Sequence, residues 1–395
     1  MFVAREGKYM KKHISLITLI CLLLGVAAGL IFKESVESIA FIGTYYISLL
    51  KIMIGPVIFT SISYTIYKTR LNKDKLVLKS VVTFAIMYTV TFLITSLLVK
   101  LINPAKGFIV EEIEWTGTTT NFNIKDILIN LIPKSFSDLF LNPKVFAIIV
   151  IAYLFGKLIR SEKVFDVINK IKEFLFKILE IIMYITPLAA FSLIANTTVK
   201  FGPILLGVGL KYILTAYFCS IICVILVMIL PVKLIGKVKI NDYIQKVSRI
   251  WAMTISTCSS AATLPYTVKT CKEDFGVKEE ITDVVVPLGC TIHMCGGAVS
   301  FALLGFFCAS MYGVEINFLT FIIMLISSLL INMAAPGIPN GGVVIGASYL
   351  ELLGIPLGFI GFYSGIYKLL DMCYTTLNVT GDISANIVIN ELEKK

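Results

Sequence analysis

The sequence predicts an all-α, polytopic membrane protein. Three observations carry that prediction. Of 395 residues, 57% are hydrophobic and 15% charged, where a soluble domain carries about 25% charged residues. Mean hydropathy is +0.90. Long stretches hold no Asp, Glu, Lys or Arg at all: 13–32, 52–67, 80–99, 212–232, 250–268, 284–314 and 316–350. A span needs about 20 such residues.

The elements follow in order. Residues 13–32 are too long for the apolar region of an ordinary signal peptide and lack a small-residue cleavage site, so they read as a true first helix. Residues 39–67 make a second helix, interrupted only by Lys51, and 79–102 a third; 164–199 read as one long amphipathic helix. Basic residues cluster at the N-terminus (Arg5, Lys8, Lys11, Lys12), at 68–79, at 157–163 and at 233–249, while Glu111, Glu112 and Glu114 make the loop after the third helix acidic. Alternate loops are therefore basic, which places the N-terminus in the cytoplasm of a multi-pass cell-membrane protein. That pattern accounts for the net charge of +10 without a nucleic-acid partner. Nine cysteines without CxxC spacing read as reduced and buried.

The C-terminal half departs from plain spanning helices. Segment 250–268 is interrupted by Ser259, Ser260 and Pro265, and 316–350 by Pro336, Gly337, Pro339 and Gly341. Broken backbone at membrane depth is tolerated only inside protein or beside an aqueous cavity. A kink would explain one such break; two in corresponding positions read as re-entrant hairpins around a transport site. In the last helix Asp371, Asn378 and Asp382 share a face, the carboxylates lying three turns apart. Each intramembrane Asp costs roughly 2.5–3.5 kcal/mol on insertion scales, so both require partners, an ammonium group or a cation; Lys368, one turn from Asp371, is an alternative partner for that carboxylate but is too far from Asp382.

These residues carry a resemblance. Leu49–Phe59 (LLKIMIGPVIF), Ser259–Pro265 (SSAATLP), Pro287–Gly297 (PLGCTIHMCGG), Pro336–Gly342 (PGIPNGG) and Leu370–Asp382 (LDMCYTTLNVTGD) occur in one order. Together they resemble the dicarboxylate/amino acid:cation symporters, over essentially the whole chain. The resemblance implies eight transmembrane helices and two re-entrant hairpins, with inverted repeats, in a homotrimer working as an elevator. It implies one unit over 1–395: scaffold elements at about 14–67 and 126–199, and transport-domain elements at about 79–102 and 202–391. The first hairpin falls at about 241–272 and the second, the gate, at about 316–356.

It also implies a substrate set of Ser259, Ser260, Gly297, Gly337, Ile338, Gly342, Asp371, Tyr374, Thr375 and Asn378. Asp371 would receive an α-ammonium, and Ser260 with nearby backbone amides an α-carboxylate. Tyr374 stands where acidic-substrate members place an arginine, Gly297 where a threonine supports the side-chain carboxylate, and Cys258 where some archaeal members carry an arginine. A phenol cannot replace a bidentate guanidinium. The expected substrate is therefore a neutral amino acid, coupled to sodium, protons or both, with no other cofactor and no catalytic residue.

The implied cation ligands are Gly289, Thr291, His293, Asn332, Met333, Ala335, Asn378 and Asp382. The family's Asn-Met-Asp reads His293-Met294-Cys295 here, and its third-helix Thr-Ser pair becomes Met87 and Tyr88, so one sodium site loses its hard ligands. His293 beside Asp382 suggests proton coupling in place of some sodium coupling. Other readings stay open. Cys258, Cys295, Cys373 and His293 around one cavity would make a transition-metal or thiol-ligand transporter. Dicarboxylate or acidic amino acid symport is another, and a passive channel a third. A Cys/His nucleophile pair is disfavoured, because His293 and Cys295, two apart on a continuous helix, would point to different faces.

Overall fold

A computed structural model describes residues 17, 20–71, 75–107, 145–201, 204–332 and 341–394. Every element among them is helical, with no strand. Helix α1 covers Ile20–Phe32. A short 3-10 segment, Lys33–Ile39, leads into α2 (Ala40–Leu71), followed by α3 (Lys75–Ile102) and α4 (Val145–Leu158). Gly25 and Gly29, four apart, bring α1 so close to the next partner that an added Cβ would meet Phe191 O at 2.7 Å and Thr198 Cβ at 2.8 Å respectively.

The predicted single helix over 164–199 is two. Helix α5 (Glu162–Met183) ends at Tyr184–Ile185, and α6 (Thr186–Phe201) begins there. Pro187 is the second residue of α6, where its missing N–H is no loss. Helix α2 packs on α4, α5 and α6.

Helix α7 (Ile204–Cys223) continues through a π-helical stretch, Val224–Ile229, to Leu234. Then come α8 (Ile240–Thr257) and α9 (Ser260–Lys269), which pack on each other, and α10 (Glu279–Ile292) and α11 (Cys295–Met311). Lys272 bonds Glu279 at 2.7 Å and Asp283 at 2.8 Å, tying the base of α8–α9 to α10. Those bonds, Asp283's first, hold its ammonium pKa above the ordinary value. Helices α12 (Phe318–Asn332) and α13 (Gly341–Leu352) flank residues 333–340, outside the described set, and α14 spans Ile360–Leu392.

Three helical stretches among the described residues are long and apolar enough to cross a membrane: Lys75–Ile102, Gly207–Leu234 and Glu279–Met311. The last is set apart by burial. Its most apolar window is 89% buried, against 39% and 44% for the others, so protein rather than lipid surrounds it. Helix α14 is buried almost all round, which an apolar helix with polar insertions requires. It packs against α7, α8, α10, α11 and α13 and forms the axis of the C-terminal half.

Candidate functional site

Two breaks in the backbone meet α14 at mid-length. The first lies between α8 and α9. Cys258 takes the left-handed conformation (φ 48°, ψ 41°) and ends α8; Ser259 is extended, and its hydroxyl accepts the Ala262 N–H at 3.2 Å, capping α9. A ladder of side-chain bonds clamps α8 to α14: Tyr243 OH with Ser384 Oγ (2.6 Å), Trp251 Nε1 to Thr380 Oγ1 (2.9 Å) and Thr254 Oγ1 with Thr376 Oγ1 (2.7 Å). The hairpin tip is thus positioned against the last helix.

The second break separates α10 from α11. His293 (φ −96°, ψ 97°) and Met294 (φ −127°, ψ 72°) leave the helix, and α11 restarts at Cys295. The freed backbone groups are satisfied from both sides, as burial demands. Asn332 Nδ2, at the end of α12, donates to Met294 O at 3.0 Å, and Gly296 N donates to Asn378 Oδ1 of α14 at 2.7 Å.

Between the breaks lies a cavity. Its wall includes Ser260, Gly297, Gly342, Asp371, Tyr374, Thr375 and Asn378 from the expected substrate set. Cys258, Met294, Ser300, Phe301, Asn332, Ile345 and Tyr367 also line it. Several of these were absent from the expected set although helical spacing marks them: Tyr367 lies one turn before Asp371, and Ser300 and Phe301 one turn after Gly297. Ser259 is not in the wall and serves as the cap. Gly337 and Ile338 lie outside the described residues.

Asp371, 7% exposed, accepts a bond from Thr375 Oγ1 at 3.0 Å. Among the described residues that line the cavity it is the only carboxylate, and none of them is Lys, Arg or His. Tyr374, 2% exposed, has a buried hydroxyl with no hydrogen-bond partner among the described residues; Ser300 Oγ beside it is engaged with Tyr363 OH at 2.7 Å. The wall is tight where glycine stands. A Cβ on Gly297 would overlap Asn332 Oδ1, and one on Gly342 would overlap the Tyr367 hydroxyl.

Below the cavity a polar chain occupies the break. His293 Nδ1 stands 2.9 Å from Asp382 Oδ1, and His293 Nε2 stands 3.0 Å from Cys295 Sγ. An ionised carboxylate only accepts, so Nδ1–H donates to Asp382 Oδ1, while the donor in the Nε2–Cys295 bond is set by whether Nε2 carries a proton. Phe84 stacks on the imidazole, with centroids 4.6 Å apart. His293 and Cys295 do not point apart as they would on a continuous helix, because the chain unwinds between them.

The soft-metal grouping is corrected too. Cys258 lines the cavity, Cys295 pairs with His293, and Cys373 donates to its own helix at Leu370 O. Among the described residues no group of three His, Cys, Asp or Glu stands so as to hold a metal ion. Of the other expected cation ligands, Gly289 O accepts His293 N–H at 2.8 Å, and Thr291 is exposed, its hydroxyl donating to Leu288 O at 2.7 Å. Met333 and Ala335 lie outside the described residues. Met87 and Tyr88 are buried in α3.

Comparison with known proteins bears on this arrangement. The profile of the sodium:dicarboxylate symporter family matches residues 14–392. The chain is 25% identical to C4-dicarboxylate transport protein 1 of Ralstonia nicotianae, over 95% of this chain and 91% of that relative. It is 23% identical to the proton/glutamate-aspartate symporter of Bacillus subtilis (98% and 96% covered). It is 25% identical to the proton/sodium-glutamate symport protein of Geobacillus stearothermophilus (94% and 92%).

Proposed function

Because the chain belongs to the sodium:dicarboxylate symporter family, transporters rather than enzymes, we propose that it is a secondary-active symporter of neutral amino acids. It would sit in the cell membrane with its N-terminus in the cytoplasm, and it would use sodium, protons or both as coupling ions. The cavity charge carries the substrate reading. Asp371 offers one carboxylate for an ammonium group, and no Lys, Arg or His is among the described residues that line the cavity; Lys368 stands behind the wall, beside Cys258. Two like charges at about 4 Å repel by about 4 kcal/mol at an effective dielectric of 20. Tyr374 supplies a neutral hydroxyl where a guanidinium would be needed.

In this account the ammonium pairs with Asp371, already oriented by Thr375. The α-carboxylate meets Ser260 and the N-terminal end of α9. The second hairpin closes the cavity, and α3 with 202–391 carries it past a scaffold of 14–67 and 126–199 in each subunit of a homotrimer. The ladder between α8 and α14 supports movement of the first hairpin with the last helix as one body.

Dicarboxylate or acidic amino acid symport is the second reading, favoured by the printed activities of the relatives. Competition binding to purified protein separates the two. Serine or alanine should displace a labelled neutral amino acid, while aspartate and succinate should not. Preferential binding of aspartate or succinate would establish the second reading instead.

A further inference from the structure

A hard cation needs several oxygens converging on one open point. The family resemblance supplies three around Asp382: its carboxylate, the Asn378 side-chain oxygen and the Gly289 carbonyl. Asp382 Oδ1 and the other two oxygens each accept one hydrogen bond from the four-residue stretch 293–296, which draws that stretch into the space between them. His293 Nδ1 bonds Asp382 Oδ1 at 2.9 Å, His293 N bonds Gly289 O at 2.8 Å, and Gly296 N bonds Asn378 Oδ1 at 2.7 Å.

Steric evidence agrees. The His293 side chain is 0% exposed and that of Asp382 2%. The imidazole is held by Phe84 on its face and by Cys295 Sγ at Nε2, 3.0 Å away. A Cβ built on Gly381 would overlap the ring at Cε1, and one on Gly289 would overlap Asp382 Oδ1. The ring therefore occupies the space beside the carboxylate where a cation would stand, and packing blocks its retreat.

We propose that the His293 imidazole is a tethered replacement for sodium at Asp382. This position does not bind sodium. The chain keeps the carboxylate and glycines of the cation site but fills it with its own side chain. The inference rests on the cation-coupled symporter reading for its meaning, but its test does not depend on transport.

The test measures binding of labelled sodium to purified protein, with sodium-induced shifts in melting temperature against choline chloride at constant ionic strength. Wild type and the near-isosteric Asp382→Asn should respond identically to sodium. His293→Asn should gain a sodium response of at least tenfold higher affinity, and His293→Asn/Asp382→Asn should lose that gain. A wild-type sodium response abolished by Asp382→Asn would overturn the proposal, as would a folded His293→Asn with wild-type sodium response. If His293→Asn does not fold, the wild-type and Asp382→Asn comparison still decides. A parallel titration with neutral amino acids, aspartate and succinate separates the two failures. If none binds, the transport reading falls and the sodium comparison stands.

Discussion

Asn378 Oδ1 accepts the Gly296 N–H at 2.7 Å, joining the last helix to the first turn of α11 beside the unwound pair His293–Met294. Asn378 also lines the cavity, so one side chain both secures the break and faces the substrate. Asn378→Ala orphans a buried amide and should cost about 1–3 kcal/mol. Asn378→Asp keeps an acceptor and should retain most of that stability. Thermal melting in detergent checks the contrast; equal losses in both variants would show that the bond contributes nothing.

Asp371→Asn removes the cavity's carboxylate without changing its shape. A charge-assisted bond to a substrate ammonium contributes about 2–3 kcal/mol, so neutral amino acid affinity should fall roughly 30- to 150-fold while the fold persists. Calorimetric titration reads this loss. Under dicarboxylate transport the same variant should bind succinate as well as or better than wild type.

Tyr374→Phe removes a buried hydroxyl that has no hydrogen-bond partner among the described residues. Such a group costs about 1–3 kcal/mol when left unsatisfied, so the variant should melt no lower than wild type. Amino acids with a side-chain hydroxyl or amide should lose about 1 kcal/mol of affinity relative to alanine. Affinities for serine and alanine that change together would remove Tyr374 from substrate recognition.

Gly381→Ala drives a methyl group against the His293 ring and places it 3.2 Å from Met228 Sδ. Overpacking of this kind costs about 1–3 kcal/mol. Combining it with His293→Asn, which vacates the ring's space, should cost less than the two single changes together. Strict additivity in melting measurements would place the two sites out of contact.

Much of the C-terminal site was legible because charge is scarce there. Asp371, Asn378 and Asp382 stood out on one face of an apolar helix, and Asp371 and Asn378 line the cavity. The tip of the first hairpin was legible from Ser259 and Ser260, which cap and open α9 directly after Cys258 ends α8. The break at His293–Met294 was not. No proline or glycine occupies those two positions, and what holds them extended is distant in sequence: Asn332 bonds Met294 O and Asp382 bonds His293. Helical spacing consequently misjudged Cys295. The division of 164–199 was signalled by Pro187, whose place in the first turn of α6 depends on where α5 ends. Tyr367 and Ser300 went unnoticed because an aromatic or hydroxyl on an apolar helix carries no charge signal.

The central claim is the charge of the substrate. The most direct measurement is accumulation of labelled serine and of labelled aspartate and succinate in proteoliposomes, under imposed sodium, proton and no gradients. Gradient-driven serine uptake that neither aspartate nor succinate inhibits is the predicted result. Accumulation of aspartate or succinate without serine transport would contradict the account.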